Sequence, residues 1–193
     1  MTNTTDHPTI AFATQQELEA WLAQHHADTS GLWLKIAKNS ADIPTVSYAE
    51  AVESALCYGW IDSQKATFDS QYFLQKFTPR RPKSVWSRVN REKATALIAA
   101  GRMQPAGLRQ IELAQADGRW EAAYDSQSTI AIPPDLQAAL DAHPDAKAFF
   151  ATLDSANRYA ILYRLQTAKK PETRAARIEK FIGMLAQREK IHP

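Results

Sequence analysis

The sequence predicts an α+β protein, with a small, mostly antiparallel sheet and helices in its N-terminal part and a helical C-terminal part. Over the first 77 residues, helical patterns alternate with short runs in which apolar residues recur at every second position. From residue 134 onwards, apolar residues recur at helical spacing. Strands gathered in one part of a chain and helices in the rest are typical of this class. We therefore expect strands before residue 77 and none after residue 134.

Helix starts and a hairpin are predicted within the N-terminal part. The pairs Thr14–Glu17 and Ser47–Glu50 have the spacing of capping boxes, and each predicts that a helix begins at the next residue. Alternating apolar residues over 32–37 predict a strand, and two extended runs, 60–68 and 71–77, predict a hairpin.

Prolines and glycines divide the remainder of the chain into helices. Pro79 and Pro82 lack the backbone N–H that a sheet interior needs, so we expect no strand to continue beyond Phe77. Six helices are predicted: from Ser84 or Ser87 to Gly101, from Pro105 to Gly118, over 134–141, over 144–153, from Asp154 or Ser155, and from Pro171. The predicted organisation is an α+β domain over 10–118, a connector over 119–133, and a helical region over 134–190 packed on that domain.

The composition excludes several classes of protein. With 45% hydrophobic and 23% charged residues among 193, the chain is globular and has no run of apolar residues long enough to span a membrane. Its only cysteine, Cys57, cannot form an intramolecular disulfide, and Met1–His7 lacks the basic and apolar segments of a secretory leader, so a cytoplasmic location is expected. Neither a phosphate-binding glycine motif nor a zinc-ligand spacing is present, so no cofactor and no metal are predicted.

Charge is distributed in blocks along the chain. The formal net charge is only +2, yet residues 76–109 contain nine basic and one acidic side chain, and residues 158–180 contain seven basic and two acidic ones. The segments before and between these blocks are acidic. Either the basic blocks bind an anionic partner or they pair with the acidic blocks of the same chain.

The first basic block contains a loop suited to binding an anion. Two prolines stiffen it, the arginines offer bidentate donors, and a tryptophan follows on which a base or sugar could stack. A serine at the start of the next helix adds a further donor. The predicted anion-binding residues are Arg80, Arg81, Lys83, Ser84, Trp86, Arg88 and Arg91. Alternatively, the arginines pair with acids of the chain and the tryptophan belongs to the core.

The second basic block forms a secondary basic patch on two predicted helices and the turn between them. Its members are Arg164, Lys169, Lys170, Arg174 and Arg177. A helix–turn–helix arrangement with basic side chains permits a DNA-reading hypothesis, but such helical hairpins also occur in ordinary bundles, where these arginines would form a solvated face.

Carboxylates near a tight aromatic turn provide weak candidates for catalysis. Glu53 follows Glu50 by three residues on one helix, and Asp62 comes soon after Gly59 and Trp60. Three such acids could form a general acid/base set or a cation site. They can equally be a helix cap, a solvated helix residue and the start of a strand.

Several long and unusual motifs occupy residues 55–62, 77–87, 101–107, 123–126 and 160–174. They resemble the YdeI/OmpD-associated (bacteriocin-protection) family. The resemblance extends from about Trp33 to Pro193. It implies a role in bacteriocin protection and supplies no catalytic residue.

These observations lead to one functional hypothesis and one alternative. The hypothesis is a non-enzymatic cytoplasmic stress or protection protein that binds an anionic small molecule, acidic protein or nucleic acid through the surface from Arg80 to Arg91. The alternative is an enzyme on a small anionic substrate, held by Arg80 and Arg81, with Asp62 or Glu53 as acid or base. An open basic face favours the binder, whereas a pocket with a buried carboxylate favours the enzyme.

Overall fold

A computed structural model describes residues 7–193, so all but the last residue of the segment Met1–His7 lies outside it. The contacts divide the chain into two compact units. The first contains residues 7–86 together with 90–122, and the second contains 87–89 together with 123–193.

The first unit contains a four-stranded sheet flanked by helices. Its elements are β1 (Thr9–Ile10), α1 (Gln15–His25), β2 (Leu32–Ala37), α2 (Tyr48–Cys57), β3 (Trp60–Thr67), β4 (Tyr72–Pro79), α3 (Arg88–Ala99, whose first two residues count with the second unit) and α4 (Pro105–Ala116). The strand order is β1-β2-β4-β3, in which β1 is parallel to β2 and the other pairs are antiparallel. This confirms the predicted α+β class and the mostly antiparallel sheet.

The two strands of the predicted hairpin are each one residue shorter at the turn, since β3 ends at Thr67 and β4 begins at Tyr72. The strands differ from the prediction at two further places. β1 is only two residues long, too short for an alternating pattern to reveal it. β4 runs to Pro79 and not to Phe77. Because β2 begins at Leu32, opposite Phe77, the last two residues of β4 pair with β3 alone. A proline is tolerated there because no second neighbour needs its missing N–H.

One face of the sheet forms the core of the first unit. Leu32, Leu34 and Ile36 of β2 are buried, and the antiparallel register places Phe77 and Gln75 of β4 beside them on the same face. Helix α2 contacts β3, and α1 packs on α2. The opposite face carries the other residues of β2 and β4, which are partly exposed.

Two glycines allow α4 to approach α2 closely. Gly59 ends α2 with a φ of +73°, a left-handed conformation that suits glycine, and its backbone lies against Ala106 of α4. Gly107 of α4 lies against the carbonyl oxygens of Leu56 and Cys57. A side chain at either position would push the two helices apart.

The second unit is helical, as predicted. Its helices are α5 (Pro134–Asp141), α6 (Pro144–Thr152), α7 (Ser155–Gln166) and α8 (Pro171–Ala186). Proline occupies the first position of α5, α6 and α8, where its missing N–H costs nothing. The core contains Leu136, Leu140, Ala146, Phe150, Leu153, Ile161, Leu162, Leu165, Phe181, Ile182 and Leu185. Across residues 7–193, the strands all end by residue 79, and no helix is long and apolar enough to cross a membrane.

Candidate anion-binding groove

The centre of the predicted anion-binding loop lies in the interior of the first unit. Arg80 is 5% exposed, its guanidinium carbon lies 3.6 Å from the centre of the Trp86 ring, and its Nη1 donates to the carbonyl of Val85 at 3.2 Å. Trp86 is 2% exposed and meets the edge of Trp120 at 4.9 Å. The guanidinium and the ring that were predicted to hold a ligand thus contact each other in the core.

The exposed part of this loop is small. Arg81 and Lys83 are exposed on a turn in which the Ser84 hydroxyl accepts from the backbone N–H of Arg81 at 2.9 Å. The carbonyl of Ser84 accepts from Arg119 at 2.8 Å. The hydroxyl and carbonyl of Ser84 therefore hold the turn, and the loop presents two cations to solvent.

The remaining two predicted anion-binding residues have partners of their own. Arg88 forms an ion pair with Asp125 at 2.8 Å, and Arg91 donates to the carbonyl of Trp120 at 3.2 Å. The contact of Arg88 therefore fits the alternative prediction, in which the first basic block pairs with acidic segments of the same chain.

Glu53, one of the two weak catalytic candidates, belongs to a charged network in the first unit. Arg102 donates to Glu19 at 2.9 Å and to Glu53 at 3.0 Å, and Lys93 lies 3.6 Å from Glu53. The hydrogen bond that Arg102 donates to Glu19 is the largest of the effects that raise the pKa of Arg102. The buried hydroxyl of Ser54 donates to the same Glu19 at 3.0 Å. Glu53 is therefore part of an ionic clamp between α1, α2 and the segment before α4.

The other weak catalytic candidate, Asp62, accepts a hydrogen bond from the phenol of Tyr48 at 2.7 Å. Glu53 is therefore paired with two cations, and Asp62 with a phenol. Within residues 7–193, no group of three His, Cys, Asp or Glu side chains is arranged to hold a metal ion.

Three arginines of the second unit gather at the C-terminal end of α7. Arg174 forms a bidentate pair with Asp135 at 2.5 and 2.9 Å and donates to the carbonyl of Leu165 at 2.6 Å. This pairing holds the pKa of Asp135 below its usual value. Arg177 donates to the carbonyl of Arg164, whose own guanidinium donates to the carbonyl of Ala160 at 2.9 Å. Cations suit this position because the last carbonyls of a helix carry partial negative charge.

An open groove of about 390 Å³ lies beside two of these arginines. Its cationic lining consists of Arg164, Arg177, Lys180 and Lys190, and its apolar lining of Phe181, Met184 and Ile191. In the described part of the chain, none of the four cations lies within 4.0 Å of a carboxylate oxygen, whereas Arg88, Arg102 and Arg174 all do. Four like charges around one concavity repel one another, and a bound anion would offset that repulsion.

The structure therefore divides the predicted secondary basic patch. It brings Arg164 and Arg177 to the groove, ties Arg174 to Asp135, and leaves Lys169 and Lys170 exposed in the turn between α7 and α8. The sequence did not single out the two lysines that complete the groove.

One of these two lysines had a signal in the sequence and the other did not. Lys180 follows Arg177 by three residues on α8, so helical spacing places both on one face. Lys190 lies in the tail, which folds back because the buried side chain of Asn157 accepts hydrogen bonds from the backbone of Ile191 at 3.0 Å and His192 at 2.8 Å. Hydrogen bonds with Asn157 lower the pKa of Asp154, and the positive charge of Lys190 also acts to lower it.

Two family models match the chain. A domain of unknown function (DUF8412) matches residues 10–110, and a family described as "Bacteriocin-protection, YdeI or OmpD-Associated" matches residues 129–188. The second match confirms the predicted family resemblance, although it covers a shorter stretch than the span from Trp33 that the motifs suggested. Searches of curated proteins and of solved structures returned no match.

Proposed function

We propose that this chain is a non-enzymatic cytoplasmic protein of the stress or bacteriocin-protection type. The chain belongs to the DUF8412 family, whose model matches residues 10–110, and it carries a bacteriocin-protection, YdeI or OmpD-associated domain over residues 129–188. It acts by binding an anionic partner, and the binding site is the groove of the second unit. A chain with one buried cysteine uses no intramolecular disulfide, which is usual for proteins of the cytoplasm.

The observation that carries this proposal is the concentration of unpaired cations in one concavity. Arg164, Arg177, Lys180 and Lys190 surround the groove without an ion pair in the described residues. Arginine forks and lysine ammonium groups are the usual ligands of phosphate and carboxylate in proteins. Apart from Lys190 and Ile191, the lining lies inside the segment that matches the bacteriocin-protection family. By comparison, the loop from Arg80 to Arg91 offers fewer cations, because Arg80 is buried against Trp86 and Arg88 is paired with Asp125.

Charge reversal of the two lysines tests the proposal without disturbing the helix end. Arg164 and Arg177 donate to backbone carbonyls, so their replacement would confuse folding with binding. Lys180→Glu combined with Lys190→Glu replaces two exposed side chains of the groove lining. Lys169→Glu combined with Lys170→Glu is the matched control, because it makes the same change in net charge in the nearby turn.

Binding of inorganic pyrophosphate and of a heparin fragment is measured by calorimetry on the full chain, at low ionic strength and at about 0.15 M salt. A charge-assisted hydrogen bond contributes about 1.5 kcal/mol or more, so losing two should weaken binding by roughly 100-fold. The control pair should bind nearly as well as the unaltered protein, and affinity should fall as salt increases. An equal loss in both double variants would show that net charge alone matters. That result, or no binding of either probe at low salt by a protein that melts normally, would refute the proposed site.

A further inference from the structure

The sheet of the first unit has a second face, opposite the one that α1 and α2 cover. The antiparallel register of β2 and β4 places Trp33 directly across from Lys76, and Lys35 across from Leu74. Tyr72 lies at the end of the same face, opposite Ala37. Trp33, Lys35, Tyr72, Leu74 and Lys76 are all partly exposed.

Aromatic rings and lysines alternate along this face. The Nζ atom of Lys76 lies 5.5 Å from the centre of the Trp33 ring. The Nζ atom of Lys35, in the next row of the sheet, lies 4.3 Å from the Phe68 ring and 4.5 Å from the Tyr72 ring. Phe68, at the end of the hairpin, is 48% exposed. Along the strands, the Trp33 ring is thus followed by the cation of Lys35 and then by the rings of Tyr72 and Phe68.

The residues of this face carry positive charge and no negative charge. The other residues that the register of the described strands places on this face are Thr9, Ala37, Ile61, Ala66 and Thr78, and the bulge of β3 beside Lys76 contains Ser63 and Gln64; none of these is acidic. Two acids adjoin residues of this face in sequence. Asp62 pairs with Phe77 and so lies on the opposite face of the sheet. Asp69 lies in the hairpin turn, where its carboxylate accepts from the backbone N–H groups of Gln71 at 2.8 Å and Tyr72 at 2.7 Å. The charge of the face therefore complements a polyanion.

We propose that this face binds single-stranded nucleic acid. Proteins that hold single strands without sequence preference combine cations that follow the phosphates with aromatic rings on which the bases stack. Trp33 and the position opposite Tyr72 are four residues apart along β2, or roughly 13 Å at the rise of a strand. The two rings would therefore stack on different bases of one strand, while Lys35 and Lys76 would turn from the rings to the phosphates. A double helix keeps its bases inside and could not use the rings.

This face shares no residue with the groove of the second unit, so different substitutions test the two sites. The two proposals therefore fail independently. Loss of binding on substituting Trp33 would not be expected for pyrophosphate in the groove, and the Lys180→Glu, Lys190→Glu variant retains every residue of the sheet face.

The test measures the fluorescence anisotropy of a labelled oligothymidylate with the full chain at low ionic strength. Trp33→Ala and Tyr72→Ala should each weaken binding by about 5- to 150-fold, the range that alanine substitution produces at a base-stacking ring. Trp33→Phe should keep most of the affinity because the ring remains. The chain has five tryptophans, and quenching of the intrinsic fluorescence by the oligonucleotide should largely disappear in Trp33→Phe although binding persists.

Controls separate stacking from simple charge attraction and from misfolding. Leu113→Ala removes an exposed apolar side chain from α4 and should not affect binding. Heparin has charge but no bases, so its binding should not respond to Trp33→Ala. Thermal melting of each variant shows whether the sheet is intact.

Several results would overturn the inference. These are no oligothymidylate binding at low salt, equal binding of duplex DNA, or Trp33→Ala and Tyr72→Ala variants that are folded and bind normally. If the unaltered chain forms dimers that Trp33→Ala converts to monomers, the face is an interface between two copies. Capture of an acidic protein with no oligonucleotide binding would likewise replace nucleic acid as the occupant.

Discussion

Replacing Gly107 by alanine should destabilise the first unit although it places a better helix former in a helix. A Cβ atom at this position would lie 2.3 Å from the carbonyl oxygen of Cys57, 2.5 Å from Sδ of Met103 and 2.7 Å from the carbonyl oxygen of Leu56. Two of these three atoms belong to the backbone of α2 and its end, so they cannot rotate away. The substitution must therefore move α4 away from α2.

The expected size follows from two opposing effects. Alanine is more favourable than glycine in a helix interior by about 1 kcal/mol, and by less in the first turn, where Gly107 lies. Overfilling a packed contact costs roughly 1–3 kcal/mol, and contacts this short with backbone atoms belong at the upper end of that range. The net loss in the free energy of unfolding should be about 2 kcal/mol.

Gly183 provides the matched control. It lies inside α8, and a Cβ atom there would meet nothing within 4 Å. Gly183→Ala should therefore stabilise the protein by up to about 1 kcal/mol, partly by restricting the unfolded chain. Both variants are compared with the unaltered chain by urea unfolding, which is monitored by circular dichroism. A Gly107→Ala variant as stable as the original protein would refute the close approach of α4 to α2, and equal losses in both variants would refute the reasoning about helix glycines.

Two further predictions concern buried groups of the first unit. Cys57 is 2% exposed, and burial raises its pKa to about 11. A thiol reagent should therefore label the native protein slowly at neutral pH and faster as the pH approaches that value. Rapid labelling of the folded protein at pH 7 would contradict this prediction. Arg80→Ala should lower the free energy of unfolding by about 2 kcal/mol, because it removes a desolvated contact with Trp86, whereas Arg81→Ala at the exposed neighbouring position should change it by less than about 0.5 kcal/mol. Equal effects of the two arginine substitutions in chemical unfolding would show that Arg80 is not part of the core.

Local sequence signals predicted the elements well because the interactions that define them are local. At Ser47 and Glu50 the reciprocal capping box forms as predicted. At Thr14 the hydroxyl accepts from the N–H of Glu17, but the carboxylate of Glu17 accepts from Ala13, one residue before the cap. Both helices begin where the pattern predicted, since either arrangement satisfies N–H groups of the first turn.

The candidate site was harder to predict because burial and long-range contacts decide which cations remain available. Arg80 and Arg81 are adjacent and chemically identical, yet one faces Trp86 in the core and the other faces solvent. No local pattern distinguishes them. Lys190 reaches the groove only because the tail is held by hydrogen bonds to Asn157, which is 34 residues from Ile191. Such a contact has no signature in a single sequence.

The clamp around Arg102 has a consequence for biosynthesis. Its guanidinium joins Glu19 and Glu53, which precede it in the chain by 83 and 49 residues. While the protein is being made, both carboxylates leave the ribosome well before Lys93 and Arg102, the cations that pair with them. Until then, the two acids stand close together and oppose the packing of α1 on α2. The N-terminal half should therefore fold late, after Arg102 and Gly107 have emerged from the ribosome. Chains whose synthesis is interrupted before that point should be degraded by proteases.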